Sequence, residues 1–141
     1  MRVLGVDFGR KRIGLAISDA SGTLARPLKT ITAGESEAID RVMAEIDQLS
    51  ADEDGLETIV VGMPLRLDGS PSDATAFTAA FVEGLRKRTS LAVVCEDERL
   101  TSHEAESRLA INERDWRKRK ARLDAAAAAV ILQDYLNRRH G

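Results

Sequence analysis

Cysteine is nearly missing from this chain of 141 residues, where Cys95 stands alone. A single thiol excludes an intramolecular disulfide and fits a reducing compartment. Histidine is almost as rare: His103 and His140 with one cysteine cannot make a structural zinc site of the usual kind. A metal here would have to be held by carboxylates. No apolar run reaches the length of a membrane span. Met1-Arg2-Val3-Leu4 leads straight into a strand-like run, so no signal peptide is expected and the expected location is cytoplasmic. Low-complexity sequence is confined to the alanines of 125–129, and there is no internal repeat.

What is present fits one globular domain over 1–141: 43% hydrophobic residues and enough length for a core. The net charge is only −2, yet it is unevenly spread. Residues 114–122 hold six basic groups and one acidic group, a local +5, so the rest of the chain carries −7. A compact basic run on an acidic chain suits a locally contacted polyanion; the bland reading is a solvated loop.

Apolar spacing sets out the elements. Residues 2–8 and 13–19 read as two strands joined by a tight turn, and 24–31 as a third, kept at a sheet edge by Pro27. Ile39, Val42, Met43, Ile46 and Leu49 give 36–49 helical spacing. Thr58–Gly62 is a short apolar strand, 63–71 a loop, 72–88 a helix, and Leu91–Cys95 a second buried strand, with Cys95 as a small apolar residue. Thr101-Ser102-His103-Glu104 is a capping-box pattern that opens a further helix. After the basic run, a last helix is expected from about Ala121 to Arg139. Three successive strands followed by helix–strand alternation predict an α/β fold. Its sheet is mixed and five-stranded, with helices on both faces and the first, fourth and fifth strands as parallel neighbours. Ligands of such sheets sit at the carboxyl ends of the parallel strands.

Asp7 closes the first apolar run, Val3-Leu4-Gly5-Val6, and a carboxylate there is costly unless a cation compensates it. The fifth strand, placed beside the first, would bring Asp97 or Glu98 near it, and Glu98 is favoured. Asp124, set among small residues near the start of the last helix, supplies a third acid; otherwise it is a first-turn residue favoured by the helix dipole. Converging carboxylates repel unless a divalent cation joins them. Mg²⁺ or Mn²⁺ suits such oxygen ligands and can join them to a phosphodiester. The chemistry that follows is metal-assisted hydrolysis of a nucleic-acid backbone.

Four ordered segments now carry a resemblance: Val6-Asp7-Phe8-Gly9-Arg10-Lys11-Arg12-Ile13-Gly14-Leu15-Ala16, Val60-Val61-Gly62-Met63-Pro64-Leu65-Arg66-Leu67-Asp68-Gly69, Asp97-Glu98-Arg99-Leu100-Thr101-Ser102 and Asp124-Ala125-Ala126-Ala127-Ala128. Together they resemble the YqgF (RuvX-like) family of Holliday-junction-resolvase-like nucleases over nearly the whole chain. The resemblance implies a ribonuclease H-like fold, a cytoplasmic bacterial protein, and a role in maturing the 5′ end of the small-subunit (16S) ribosomal RNA precursor. It also implies an acidic metal site at Asp7, Glu98 and Asp124. The chain departs from the pattern at Met63, where the family usually has leucine. It departs again at Ala127, three residues after Asp124, where related resolvases bring a fourth acid.

Around these acids, Arg10, Lys11 and Arg12 are candidates to grip phosphates, against a solvated turn. Arg66 and Asp68 would flank the substrate. Thr101 and Ser102 cap a helix whose amino end could receive a phosphate. Arg117, Lys118, Arg119 and Lys120 would bind the backbone while Trp116 stacks on a base, against plain packing of the loop. Gly9 and Gly14 would serve the tight turn and close substrate approach. The expected partner is nucleic acid, structured precursor rRNA or a pre-ribosomal particle, met by a monomer or weak homodimer. Three other functions compete: a Holliday-junction resolvase, a non-catalytic RNA-binding assembly factor, and a phosphotransferase. The last would need a second lobe that this length does not supply.

Overall fold

The computed structural model describes residues 1–97 and 116–140, without the side chains of 116–122. An antiparallel meander opens the chain: β1 (Arg2–Phe8), β2 (Arg12–Ser18) and β3 (Ala25–Thr32). Then follow α1 (Glu35–Ala51), β4 (Leu56–Met63), α2 (Asp73–Arg88), β5 (Ala92–Asp97) and α3 (Trp116–His140). The strands form one sheet in the order β3-β2-β1-β4-β5. β2 is antiparallel to both β1 and β3, while β4 is parallel to both β1 and β5. The expected mixed five-stranded sheet with helices on both faces is what the chain adopts. Pro27 sits on edge strand β3, beside a register shift.

Residue alternation sorts the core into two layers. Leu4, Val6, Ile59 and Val61 pack under Val42 and Ile46 of α1 and Phe81 and Leu85 of α2. Val3, Ala16 and Val60 point the other way and pack under Ala128, Ile131, Leu132 and Leu136 of α3. Each large aliphatic side chain buried in this way contributes about 1.5–3 kcal/mol. α2 starts at a capping box in which the Ser72 and Thr75 side chains each accept a backbone N–H of the other residue. The Thr75 hydroxyl also donates to the Pro64 carbonyl, which ties the 64–71 loop to the helix.

Three expectations are corrected. The fifth strand is not beside the first: β4 stands between them. Each crossover helix lays its strand outside the previous one, α1 leading to β4 on β1 and α2 leading to β5 on β4. As an edge strand, β5 leaves Cys95 exposed, not buried. From Trp116 on, the basic run is helix and not loop, five residues earlier than expected. A run of Arg, Lys and Ala contains good helix formers and no breaker, so charge alone does not end the helix. The helix expected from Thr101 lies outside the described residues.

Among the described residues, no helix is long and apolar enough to cross a membrane.

Candidate functional site

β1 occupies the middle of the sheet and delivers Asp7 to its carboxyl end. Strand alternation sends Leu4, Val6 and Phe8 toward α1 and α2, and Val3, Gly5 and Asp7 toward α3. Phe8 is fixed by stacking on Phe81 and Phe77, with ring centroids 3.9 and 4.8 Å away. The aspartate next to it is thereby held, half-buried, on the opposite face.

Two glycines bring α3 down onto that face. A Cβ at Gly5 would lie 2.8 Å from the Leu132 Cβ and 3.0 Å from the Ala128 carbonyl. A Cβ at Gly14 would lie 1.9 Å from the carbonyl oxygen of Asp124. Gly14 is therefore not a turn residue: it lies within β2, where the absence of a side chain lets the backbone of α3 rest on the strand. Asp7 is paired directly with Gly14 in the β1–β2 ladder. Asp7 and Asp124 consequently flank one point of the sheet, although 117 positions separate them in the chain.

Arg12 completes this group. It lies on the α3 face two residues before Gly14, and its Nε donates to Asp124 Oδ2 at 2.8 Å. Both side chains are about two-thirds covered or more, with 35% and 25% exposure. The pair is better shielded than a surface pair, whose usual worth is about 0.2–1 kcal/mol. The Gly9 N–H donates to the Arg12 carbonyl at 3.0 Å, closing the turn and fixing the backbone from which the arginine reaches.

The other predicted residues fall around this centre. Arg10 is exposed, bonds Glu35 at 3.0 Å and lies over the Phe77 ring, 4.3 Å from its centroid. Lys11 is exposed at the turn, and its carbonyl accepts from the Ala33 N–H. Arg66 is exposed in the loop after β4, at the same end of the sheet as Asp7; its N–H bonds the Ser70 carbonyl at 2.9 Å. Asp68 in that loop accepts from the Ser70 N–H and hydroxyl. Arg117, Lys118, Arg119 and Lys120 lie in α3, one to two turns before Asp124, and their side chains, like that of Trp116, lie outside the description. Glu98, Thr101, Ser102 and His103 also lie outside it. His140, at the end of α3, bonds the Gly22 carbonyl through Nε2 at 2.7 Å.

Of the two acids weighed at the end of β5, Asp97 is on the wrong face. It pairs with Met63 two rows beyond Val61–Cys95, and that parity belongs to the α1/α2 layer. Glu96, which sequence reasoning passed over, lies one residue beyond the Val6–Val61–Cys95 row, as Asp7 does, and so shares the α3 face. It is buried to 7% exposure and ion-paired with Arg138 of α3. Its signal was an acid inside an apolar strand, the same signal that marks Asp7. Among the described residues, no three carboxylate, histidine or cysteine side chains gather closely enough to hold a metal. Asp7 and Asp124 are the two acids of the expected triad that can be placed.

The sheet order, with a long last helix laid across a small-residue face beside an acid on the central strand, defines a ribonuclease H-like fold. Solved structures share it. Fowlpox virus resolvase, in a complex with substrate Holliday junction DNA, superposes with a TM-score of 0.61 over 100% of both chains at 11% identity. Thermus thermophilus RuvC superposes with a TM-score of 0.56 over 100% of this chain and 97% of its own at 16% identity. Curated relatives are much nearer in sequence. A protein of Anaeromyxobacter sp. (strain Fw109-5) is 42% identical over 141 residues, covering 99% of each chain. One from Geobacillus thermodenitrificans (strain NG80-2) is 39% identical over 140 residues, covering 97% of this chain and 98% of its own. Both carry the name "Putative pre-16S rRNA nuclease". The family profile RuvX, described as Holliday junction resolvase, matches residues 1–138. The chain belongs to the RuvX family.

The donor set fits a hard divalent cation. Asp7 and Asp124 offer only carboxylate oxygens, which Mg²⁺ and Mn²⁺ prefer. The Asp124 carboxylate is already oriented by a hydrogen bond to Arg12, the kind of support that metal-ligating carboxylates commonly receive.

Proposed function

We propose that this chain is a metal-dependent nuclease that hydrolyses phosphodiester bonds in 5′-end processing of pre-16S rRNA, acting as a single domain in the cytoplasm. The observation that carries the proposal is that Asp7 pairs with Gly14, on which the Asp124 backbone rests, at the carboxyl end of the central strand. Membership of the RuvX family and the names of the curated relatives support the reaction and the substrate.

In this reading Asp7, Asp124 and Glu98 hold Mg²⁺ or Mn²⁺. Such an ion supplies an activated water and neutralises charge on the scissile phosphate. Asp7 is fixed by the Phe8 stack behind it, and Asp124 is aimed by Arg12. Lys11 and Arg66, exposed at the same end of the sheet as Asp7, grip flanking phosphates. Arg10 joins them by leaving an exposed pair with Glu35, which costs little to break. The basic turns of α3, Arg117 to Lys120, carry the backbone of structured precursor rRNA.

The test is cleavage of structured precursor RNA, single-stranded RNA and branched DNA with Mg²⁺, Mn²⁺ or chelator, on wild type and on Asp7→Asn, Glu98→Gln and Asp124→Asn. Expected is metal-dependent cutting of the precursor RNA, lost in all three variants while binding survives. Cutting that persists in chelator and in Asp7→Asn would overturn the proposal. Preference for four-way DNA would move the chain to the resolvase reading.

A further inference from the structure

Leu67 is the most exposed large hydrophobic residue among the described residues, at 81%. A tight turn holds it there. The Gly69 N–H donates to the Arg66 carbonyl at 2.8 Å, so Arg66–Gly69 is a β-turn with Leu67 at its first corner. The Arg66 N–H donates to the Ser70 carbonyl at 2.9 Å, and Gly69 takes a φ of 88°, the left-handed geometry that closes three-residue hairpin loops. Asp68 Oδ1 accepts from the Ser70 N–H and hydroxyl at 2.9 and 2.6 Å, and the Thr75 hydroxyl ties Pro64 to α2. Turn corners are ordinarily filled by polar residues, glycine or proline. Here a well-fastened turn holds an apolar side chain out in water. Its place in the fold is equally particular. Val61 pairs with Val6, so the loop leaves β4 beside the strand end that carries Asp7. The exposed Arg66 immediately precedes Leu67.

We propose that Leu67 is a wedge. It inserts between bases of the nucleic acid whose backbone lies at this end of the sheet, so the site selects phosphodiesters next to a base step that opens easily, such as the end of a stem. Leucine is among the apolar side chains that nucleic-acid-binding proteins insert into base steps. Opening a step costs least where a base is already unpaired, which turns insertion into selection for stem ends over uninterrupted duplex. A turn held in one shape suits this work, because a leucine already fixed in place loses little freedom on insertion. Phosphate contacts from Arg66 and Lys11 position the backbone but carry no such selection. The proposal rests on the nuclease reading and specifies the substrate structure at the cleaved bond.

The test uses an RNA hairpin with a single-stranded 5′ extension. It carries 2-aminopurine, whose fluorescence rises on unstacking, either at the end of the stem or in its middle. Each RNA is bound in chelator, where no cutting is expected, to wild type, Leu67→Ala and Leu67→Met. Cleavage of the same RNA in Mg²⁺ is compared with cleavage of an uninterrupted duplex. Wild type should raise the fluorescence at the stem end and not in the middle. Leu67→Ala should lose that rise while binding the RNA within about threefold of wild type, since phosphate contacts dominate affinity. Its kcat/KM at the stem end should fall about tenfold, a part of the cost of opening one base step, with the duplex rate and the thermal midpoint unchanged. Leu67→Met keeps a long apolar side chain and should restore both the signal and the rate. An unstacking signal or a stem-end preference that survives in Leu67→Ala would overturn the inference and leave the nuclease intact. So would a Leu67→Ala defect confined to a pre-ribosomal particle, which would make Leu67 a protein contact. Failure of wild type to bind either RNA would overturn both readings, and cutting that persists in chelator would overturn the metal-dependent nuclease itself.

Discussion

On the α1/α2 face of the sheet, Leu4, Val6, Ile59 and Val61 meet Val42, Ile46, Phe81 and Leu85, and bulk keeps the helices at a distance. On the α3 face the strands offer Gly5, Gly14 and Ala16, the helix offers Ala125 and Ala128, and backbone touches backbone. The first face is the ordinary arrangement of an apolar core. The second lets a helix approach until an acid from α3 stands beside an acid from β1. Side-chain volume thus sets whether a layer serves stability or chemistry. Large residues fill space and exclude polar groups, whereas small ones let distant polar groups share a point that Arg12 helps to neutralise.

The contrast breaks most readily by emptying the bulky side. Ile59→Ala should lower stability by about 2–5 kcal/mol, read as a shift in the denaturant midpoint, with kcat unchanged wherever the protein is folded. Loss of kcat in the folded variant would mean that the two layers are not separable. On the other face, Asp7→Asn should reduce cleavage on the order of 10²–10³-fold while leaving thermal stability within the range of a surface change. Gly14→Ala sharpens the point further, because the added methyl meets the Asp124 carbonyl. It should cost about 1–3 kcal/mol and also depress cleavage, since α3 must lift away from Asp7. A fully active Gly14→Ala would show that close approach is not what assembles the site.

Smaller effects lie at the edges. Neutralising Arg117, Lys118, Arg119 and Lys120 should flatten the salt dependence of RNA binding by about 0.7 per lost phosphate contact. An unaltered slope would return these residues to a solvated face. The weakest effect is at Asp19, in the turn that follows β2 at the end away from Arg12. Its exposed carboxylate accepts from the Ser21 hydroxyl and from the Thr23 and Leu24 N–H groups, which lowers its pKa from 3.8 to about 2. The folded value lies below the unfolded one, so its contribution is complete above 3.8 and fades as pH falls toward about 2. Amide-exchange protection at Thr23 and Leu24 should decline over that window and not at neutral pH; protection that persists below it would remove Asp19 as the clasp of this turn.

Much of this was legible because it rests on local patterns. Period-two alternation and β-branched runs located β1 and β4, and helical spacing located α1 and α2. Asp7 was legible because an acid at the end of an apolar strand needs a reason. Where local signals misled, the cause was non-local or ambiguous. Neither the separation of β5 from β1 nor the exposure of Cys95 is written in strand composition. Gly14 read as a turn glycine because sequence cannot show a helix returning 110 residues later to lie on it. Glu98, Thr101 and Ser102 fall outside the described residues, so for them the sequence pattern still carries the argument.

By itself the sequence determined the types of the five strands and of α1 and α2, the exclusion of an intramolecular disulfide, and the candidacy of Asp7 and Asp124. Those depend on short-range periodicity, residue counts and the cost of placing a charge in an apolar run. Only the tertiary structure decided that β4 separates β1 from β5, that Asp97 faces away from Asp7, and that Arg12 holds Asp124. These depend on strand register and on how closely two backbones can pack, and both are settled only when segments far apart in the chain compete for the same space.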